Sequence, residues 1–156
     1  DLAPRVMDAR VNYQINSMLR DVIARGTGRR ARSLQRDDIG GKTGTTNEAD
    51  VWFNGFNPEL VAVVWVGFPD NRALGDNVFG SNTPLPIWIE YMETALGARP
   101  EVFLPEPPGL TRALIDPETG EAVRPGTPGA VPELFRAGNA PELGREETLP
   151  EDDPIF

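Results

Sequence analysis

The sequence contains no cysteine and no histidine, and a single lysine stands among its 15 basic residues. Without cysteine there is no disulfide, no thiolate metal site and no thiol nucleophile, and the redox compartment is left open. Without histidine the commonest general base and metal ligand is also missing. Any chemistry therefore falls to lysine, carboxylates, hydroxyls and backbone amides, and no metal or cofactor is called for. No apolar run approaches the roughly 18 residues of a membrane span. The chain opens on Asp-Leu-Ala-Pro, which has no signal-peptide character, so any export signal or anchor of a parent protein is expected upstream.

Positive charge is scarce overall: 24 acidic residues against 15 basic give a formal charge of −9. A general nucleic-acid or anionic-membrane binder needs clustered positive charge, and the balance argues against one. The acidity is uneven. Residues 1–97 carry 10 Arg/Lys and 12 Asp/Glu, net −2, whereas residues 98–156 carry 5 and 12, net −7. The second stretch also holds 11 of the 16 prolines, so long regular elements are not expected there. The sequence thus predicts a folded part over 1–97 and a Pro-rich, acidic extension over 98–156, with residues 145–156 disordered.

Within the first part, Val11, Ile15, Met18, Leu19, Val22 and Ile23 recur at spacings of three and four, and Gly26 stands where the turn should stop. This predicts an amphipathic helix over residues 8–25. The following stretch to Arg36 is rich in glycine and arginine and reads as a solvated connector, with a phosphate- or glycan-binding patch as the functional alternative. Residues 51–56 and 60–68 are rich in β-branched and aromatic residues, and Asn57-Pro58-Glu59 between them supplies a turn. They read as an antiparallel hairpin. Both faces of the second strand are apolar, Leu60, Ala62, Val64 and Val66 on one and Val61, Val63 and Trp65 on the other, which predicts a central strand covered on both sides. Residues 84–96 predict a second helix whose apolar face is Ile87, Trp88, Tyr91, Met92, Ala95 and Leu96. In the extension, residues 111–116 and 121–124 predict one small hairpin across Pro117-Glu118-Thr119-Gly120.

The one lysine, Lys42, lies in Gly40-Gly41-Lys42-Thr43-Gly44-Thr45-Thr46-Asn47. A preference for arginine accounts for the other 14 basic residues; an exception is explained by a local need for a compact ammonium that can hand over a proton. One lysine on a surface turn is also what chance supplies, and the neighbours have to decide. A phosphate-binding P-loop fails on spacing, because its first glycine would fall on Arg36 and a helix should follow Thr43, where Thr45 and Thr46 lead into a hairpin.

The Lys-Thr-Gly triplet together with the longer succession Gly41-Lys-Thr-Gly-Thr-Thr-Asn47, Val51-Trp-Phe-Asn-Gly-Phe56 and Val64-Trp-Val-Gly-Phe-Pro-Asp-Asn-Arg72 resembles the transpeptidase domain of bifunctional class A penicillin-binding proteins. Ser17-Met-Leu-Arg-Asp-Val22, Arg25-Gly-Thr-Gly28 and Leu85-Pro-Ile-Trp88 extend the resemblance over residues 4–97. It implies an α+β fold, the C-terminal part of the penicillin-binding protein and serine β-lactamase type of transpeptidase, with an antiparallel sheet flanked by helices and incomplete in this chain. It implies that Lys42 acts as a cation beside the nucleophile and the substrate carboxylate. By the same resemblance, Thr43 and Thr45 bind the terminal carboxylate of a D-Ala-D-Ala stem peptide or a β-lactam, with Thr46 adjoining. Gly44 leaves room for the acyl chain, and the Thr45 N–H is one of two oxyanion-hole donors.

The other two motifs of that family are missing. A Ser-x-x-Lys box would need lysine three residues after Ser17, Ser33 or Ser81, where Arg20, Arg36 and Pro84 stand; a Ser-x-Asn box would need asparagine at Leu19, Gln35 or Thr83. The nucleophile and its base are therefore expected from an N-terminal half of the same domain. The resemblance further implies a parent that cross-links peptidoglycan at the periplasmic face of the bacterial inner membrane, with a membrane anchor and a glycosyltransferase domain upstream. Two other classes stay open: a non-catalytic wall-peptide-binding module, and a hydrolase of the D,D-carboxypeptidase or β-lactamase type.

Overall fold

A computed structural model describes residues 4–46 and 49–143. The segment expected to be disordered, 145–156, lies outside the described residues. The chain forms two compact units, Asp1–Glu106 and Pro107–Phe156.

The first unit begins with helix α1, Ala9–Ala24, capped by the Asp8 carboxylate, which accepts the Arg10 N–H at 2.8 Å. The Arg10 side-chain and backbone hydrogen bonds hold that carboxyl well below the usual carboxylate range. The arginine-rich connector contains a short 3-10 turn, Arg29–Leu34, where irregular backbone was expected, and its Ala31 is fully buried. Three strands follow: β1, Gly40–Thr46; β2, Asp50–Asn57; and β3, Leu60–Gly67, paired antiparallel in the order β1-β2-β3. Asn57 makes the predicted turn, its side-chain oxygen accepting the N–H groups of Glu59 at 3.2 Å and Leu60 at 2.8 Å. Helix α2, Pro84–Leu96, closes on Gly97 at φ 39°, a value that favours glycine.

The core lies between one face of this sheet and α2, where Phe53, Leu85, Trp88, Met92 and Leu96 pack with Ile23, Ala31 and Ile39. The Phe53 and Trp88 rings meet edge-on, centroids 5.0 Å apart. A Cβ on Gly55 would lie 2.4 Å from the Trp88 ring, so the indole seats only against a bare backbone. The buried stripe of α2 is Leu85, Trp88, Met92 and Leu96; Ile87 and Tyr91, placed on that face by the sequence pattern, are half exposed beside it.

Strand β3 departs from expectation. Among the described residues it pairs with β2 alone and is an edge, because apolarity on two faces reports what covers the faces and says nothing of what pairs with the edges. One face does pack, through Leu60, Ala62 and Val64, while Val61, Val63 and Trp65 on the other are 71%, 55% and 45% exposed. Trp65 leans on Trp52, ring centroids 6.1 Å apart, and donates its indole N–H to Asp50 at 2.6 Å.

The first unit extends past Gly97 because a buried ion pair fastens the residues after α2. Arg36 and Asp38 pair at 2.7 Å, the Asp38 carboxylate fully buried. Arg36 also donates to the carbonyls of Arg99 at 2.8 Å and Pro100 at 3.1 Å, and Asp38 accepts from the Val102 N–H at 3.1 Å and the Asn57 amide at 3.2 Å. Burial alone would raise the Asp38 pKa; the Arg36, Val102 and Asn57 hydrogen bonds outweigh it and hold the carboxyl below its usual range.

In the second unit β4, Leu110–Ile115, pairs antiparallel with β5, Val131–Arg136, and not chiefly with residues 121–124. The predicted turn does form, with Gly120 at φ 75° and its N–H on the Asp116 carbonyl at 2.8 Å. The returning segment pairs with the end of β4 over one bridge, Ile115 to Ala122, flanked by the Asp116 N–H on the Glu121 carbonyl and the Val123 N–H on the Leu114 carbonyl, both at 2.9 Å, and Ala122 also bridges Leu143. Pro125 leaves it too short for a ladder, whereas Pro132 is tolerated in β5 because β5 is an edge strand.

Two outcomes follow from these features. The Asp38 carboxyl is depressed in the folded state, so its stabilisation is present above the unfolded carboxylate pKa of about 3.9 and is lost as pH falls through the lower folded value. Urea midpoints of wild type and Asp38→Asn should therefore differ at neutral pH and converge on acidification below about pH 4; a constant difference across that range would remove Asp38 from the pH dependence. Separately, the uncovered face of β3 forgoes up to about 1.5–3 kcal/mol for each of its large apolar side chains, against a usual domain stability of about 5–15 kcal/mol. Residues 1–156 alone should unfold at a low urea midpoint, and a midpoint typical of a robust domain would show that the face needs no cover.

Candidate functional site

Strand β1 is hydrogen-bonded on one side only: its register with β2 runs Lys42↔Asn54, Thr43↔Phe53, Gly44↔Trp52, Thr45↔Val51 and Thr46↔Asp50, and no strand among the described residues takes its other edge. Alternation along the strand puts Lys42, Gly44 and Thr46 on one face and Thr43 and Thr45 on the other. The glycines at its start allow α1 to close on it: a Cβ on Gly40 would lie 3.2 Å from the Leu19 backbone. That approach brings the residues just after α1 alongside the motif.

Lys42 is exposed, and its ammonium bends along the strand to the Thr43 carbonyl at 2.7 Å, with the Thr43 hydroxyl 3.5 Å away. Among the described residues no carboxylate pairs with it and no serine hydroxyl is hydrogen-bonded to it. Thr43 is half-buried, its Oγ1 2.8 Å from the hydroxyl of Thr27, which lies just beyond α1. Thr45 accepts the N–H of Gly80 at 3.3 Å. Thr46 ends the strand opposite Asp50, and among the described residues no hydrogen bond reaches its side chain.

Gly44 stands where two segments of backbone meet. A Cβ on Gly80 would lie 2.8 Å from the Gly44 carbonyl and 2.7 Å from that of Trp52, so the loop before α2 rests directly on β1 and β2. The structure thus brings the Lys42 ammonium to Thr43 by bending along the strand, while Thr45 is hydrogen-bonded to neither of them, and it adds Thr27 and Gly80, which the sequence reading did not single out. Thr27 was visible only as the middle of a Gly-Thr-Gly triplet; Gly80 carried no signal at all.

The arginine-rich connector is used differently. Arg36 is committed to Asp38 and to the carbonyls after α2. With Arg20, Arg32 and Ser17 it lines a cavity of about 390 Å³ beside α1 that contains no residue of the Lys-Thr-Gly motif. Ser17, one of the three serines, thus lines a cavity that does not include Lys42.

No protein-family profile matches the chain. Individual proteins match closely. It is 51% identical over 140 residues to penicillin-binding protein 1A of Pseudomonas aeruginosa, covering 89% of this chain and 17% of that protein. It is 42% identical over 151 residues to penicillin-binding protein 1A of Haemophilus influenzae, covering 90% and 17%, and 39% identical over 150 residues to that of Rickettsia conorii, covering 96% and 18%. The crystal structure of penicillin-binding protein 1A from Haemophilus influenzae superposes with a TM-score of 0.80 at 40% identity, over 90% of this chain and 22% of that one. The chain thus spans less than a fifth of the length of the curated relatives it matches, and its helices and antiparallel sheet are those of the corresponding part of the solved relative. With such identity sustained over about nine-tenths of its residues in both sequence and fold, the chain belongs to the penicillin-binding protein 1A family.

Proposed function

We propose that the intact protein is a peptidoglycan D,D-transpeptidase acylated by β-lactams, and that this chain supplies its Lys-Thr-Gly strand. The observation that carries the reading is the lone lysine on the open edge of β1, its ammonium within reach of the Thr43 hydroxyl, in a chain homologous to penicillin-binding proteins. An edge strand with free backbone groups offers an extended acyl chain the hydrogen bonds of an added strand. Lys42 provides the positive charge beside that edge, and the hydroxyls of Thr43 and Thr45 provide donors for the terminal carboxylate.

In this mechanism a serine from the N-terminal half of the domain, where Ser-x-x-Lys and Ser-x-Asn would lie, attacks the carbonyl of the penultimate D-alanine. The oxyanion is held by two backbone N–H donors, one of them that of Thr45. Collapse breaks the peptide bond, the terminal D-alanine leaves with a proton, and an acyl-serine ester remains. An amine from a neighbouring stem then attacks the ester and releases the serine, forming the cross-link. A β-lactam opens its ring in the first step and stays on the serine. The same polypeptide that brings the serine would cover Val61, Val63 and Trp65, which this chain leaves exposed. The setting is the periplasmic face of the bacterial inner membrane, with the anchor outside this chain, in which no described helix is long and apolar enough to cross a membrane.

Fluorescent penicillin tests the reading in the intact protein: a covalent label that survives denaturation supports it, and binding without a label would leave a wall-peptide-binding module. Lys42→Ala should slow acylation by about ten- to a hundred-fold, the worth of a charged hydrogen bond, while the melting temperature holds because the side chain is exposed. An unchanged rate would take Lys42 out of the mechanism. Thr45→Val should weaken carboxylate recognition by up to about tenfold while sparing the Thr45 N–H, and Thr45→Ser should restore it. Equal affinities in all three proteins would exclude the hydroxyl.

A further inference from the structure

We infer that Thr27 is a positioning residue for this site: its hydroxyl fixes which way the Thr43 hydroxyl presents its proton. The inference rests on the reading of Thr43 as a carboxylate ligand. A hydroxyl has one proton to donate and two lone pairs to accept with, so its polarity is set by its neighbours. The Thr43 Oγ1 lies 2.8 Å from the Thr27 Oγ1 and 3.5 Å from the Lys42 ammonium. The ammonium can only donate. Once Thr27 donates as well, both lone pairs of Thr43 are engaged and its own proton is left for an acceptor outside the strand. A carboxylate is acceptor only, and its arrival selects this arrangement over the reverse one.

The neighbouring hydroxyl is treated in the same way by different means. Thr45 Oγ1 accepts the Gly80 N–H at 3.3 Å, and an amide N–H can never reverse that polarity. Each of the two hydroxyls is therefore met by one group from outside β1, the Thr27 hydroxyl, which is able to donate, from the end of α1 and the Gly80 N–H from the loop before α2. Thr27 owes its place to the close packing of α1 on Gly40, and to the turn in which the Gly28 N–H reaches the Val22 carbonyl at 2.9 Å. A valine at position 27 keeps the shape of threonine and removes the donor; a serine keeps the donor.

The test is the rate of acylation of the intact protein by fluorescent penicillin in Thr27→Val, Thr27→Ser, Thr43→Val and the Thr27→Val/Thr43→Val pair. Thr27→Val should slow acylation roughly three- to tenfold, the worth of one hydrogen bond. Thr27→Ser should return the rate close to wild type, and in the Thr43→Val background the Thr27 substitution should have no further effect. A wild-type rate in Thr27→Val beside a slowed Thr43→Val would overturn the inference and leave the proposed function standing. Fully multiplicative losses in the pair, or a Thr27→Ser as slow as Thr27→Val, would show that Thr27 acts on the fold and not through Thr43. Wild-type rates in both Thr43→Val and Lys42→Ala would remove the underlying reading itself.

Discussion

The antiparallel ladder between β1 and β2 decides where every candidate group stands. It fixes Lys42 opposite Asn54 and Thr45 opposite Val51, and because side chains alternate along a strand, a slip of one residue would exchange the faces on which ammonium and hydroxyls project. That register is anchored on the adjoining strand by Phe53, directly opposite Thr43, whose ring packs on Trp88 of α2. It is anchored at the near end by Asp38, which ties the start of β1 to Asn57 at the end of β2. The glycine-rich motif contributes little packing of its own, so its position is borrowed from these neighbours. Rigidity in the supporting elements and openness at the edge are complementary requirements of one design.

Both helices and the β2–β3 hairpin were legible in the sequence because each repeats a local pattern. Apolar spacing marked α1 and α2, and β-branched runs flanking Asn57-Pro58-Glu59 marked the strands. The Lys-Thr-Gly strand was legible through its resemblance to the penicillin-binding transpeptidases, because Gly40, Gly41 and Gly44 leave it weak as an isolated strand and a lone lysine is also what chance supplies. What sequence could not convey is non-local. Thr27 and Thr43 lie sixteen positions apart and meet only because α1 closes on Gly40. Gly80 meets Thr45 from thirty-five positions away. Ile87 and Tyr91 fit a helical stripe by spacing, yet the residues of α2 that are buried are Pro84, Leu85, Trp88, Met92 and Leu96. The β4–β5 pairing was hidden by Pro132, which argues against a strand unless that strand is known to be an edge.

The exposed face of β3 and the unpaired edge of β1 look similar as surfaces but differ in physical meaning. On β3 the exposed groups are valine and tryptophan side chains, whose burial would be favourable against almost any apolar surface. On β1 they are backbone amides, carbonyls and one ammonium, which demand directional partners. The first suits the interior of a larger domain, the second a ligand that arrives and departs.

The clamp formed by Arg36 and Asp38 also determines where this polypeptide can be divided. Cutting after Gly97, at the change in composition, would remove the carbonyls of Arg99 and Pro100 and the N–H of Val102. The buried Asp38 carboxylate would then lose a backbone donor, and the Arg36 guanidinium paired with it would lose two acceptors. The first unit therefore runs on at least through Val102, and the boundary written in the amino-acid composition is not the one written in the hydrogen bonds.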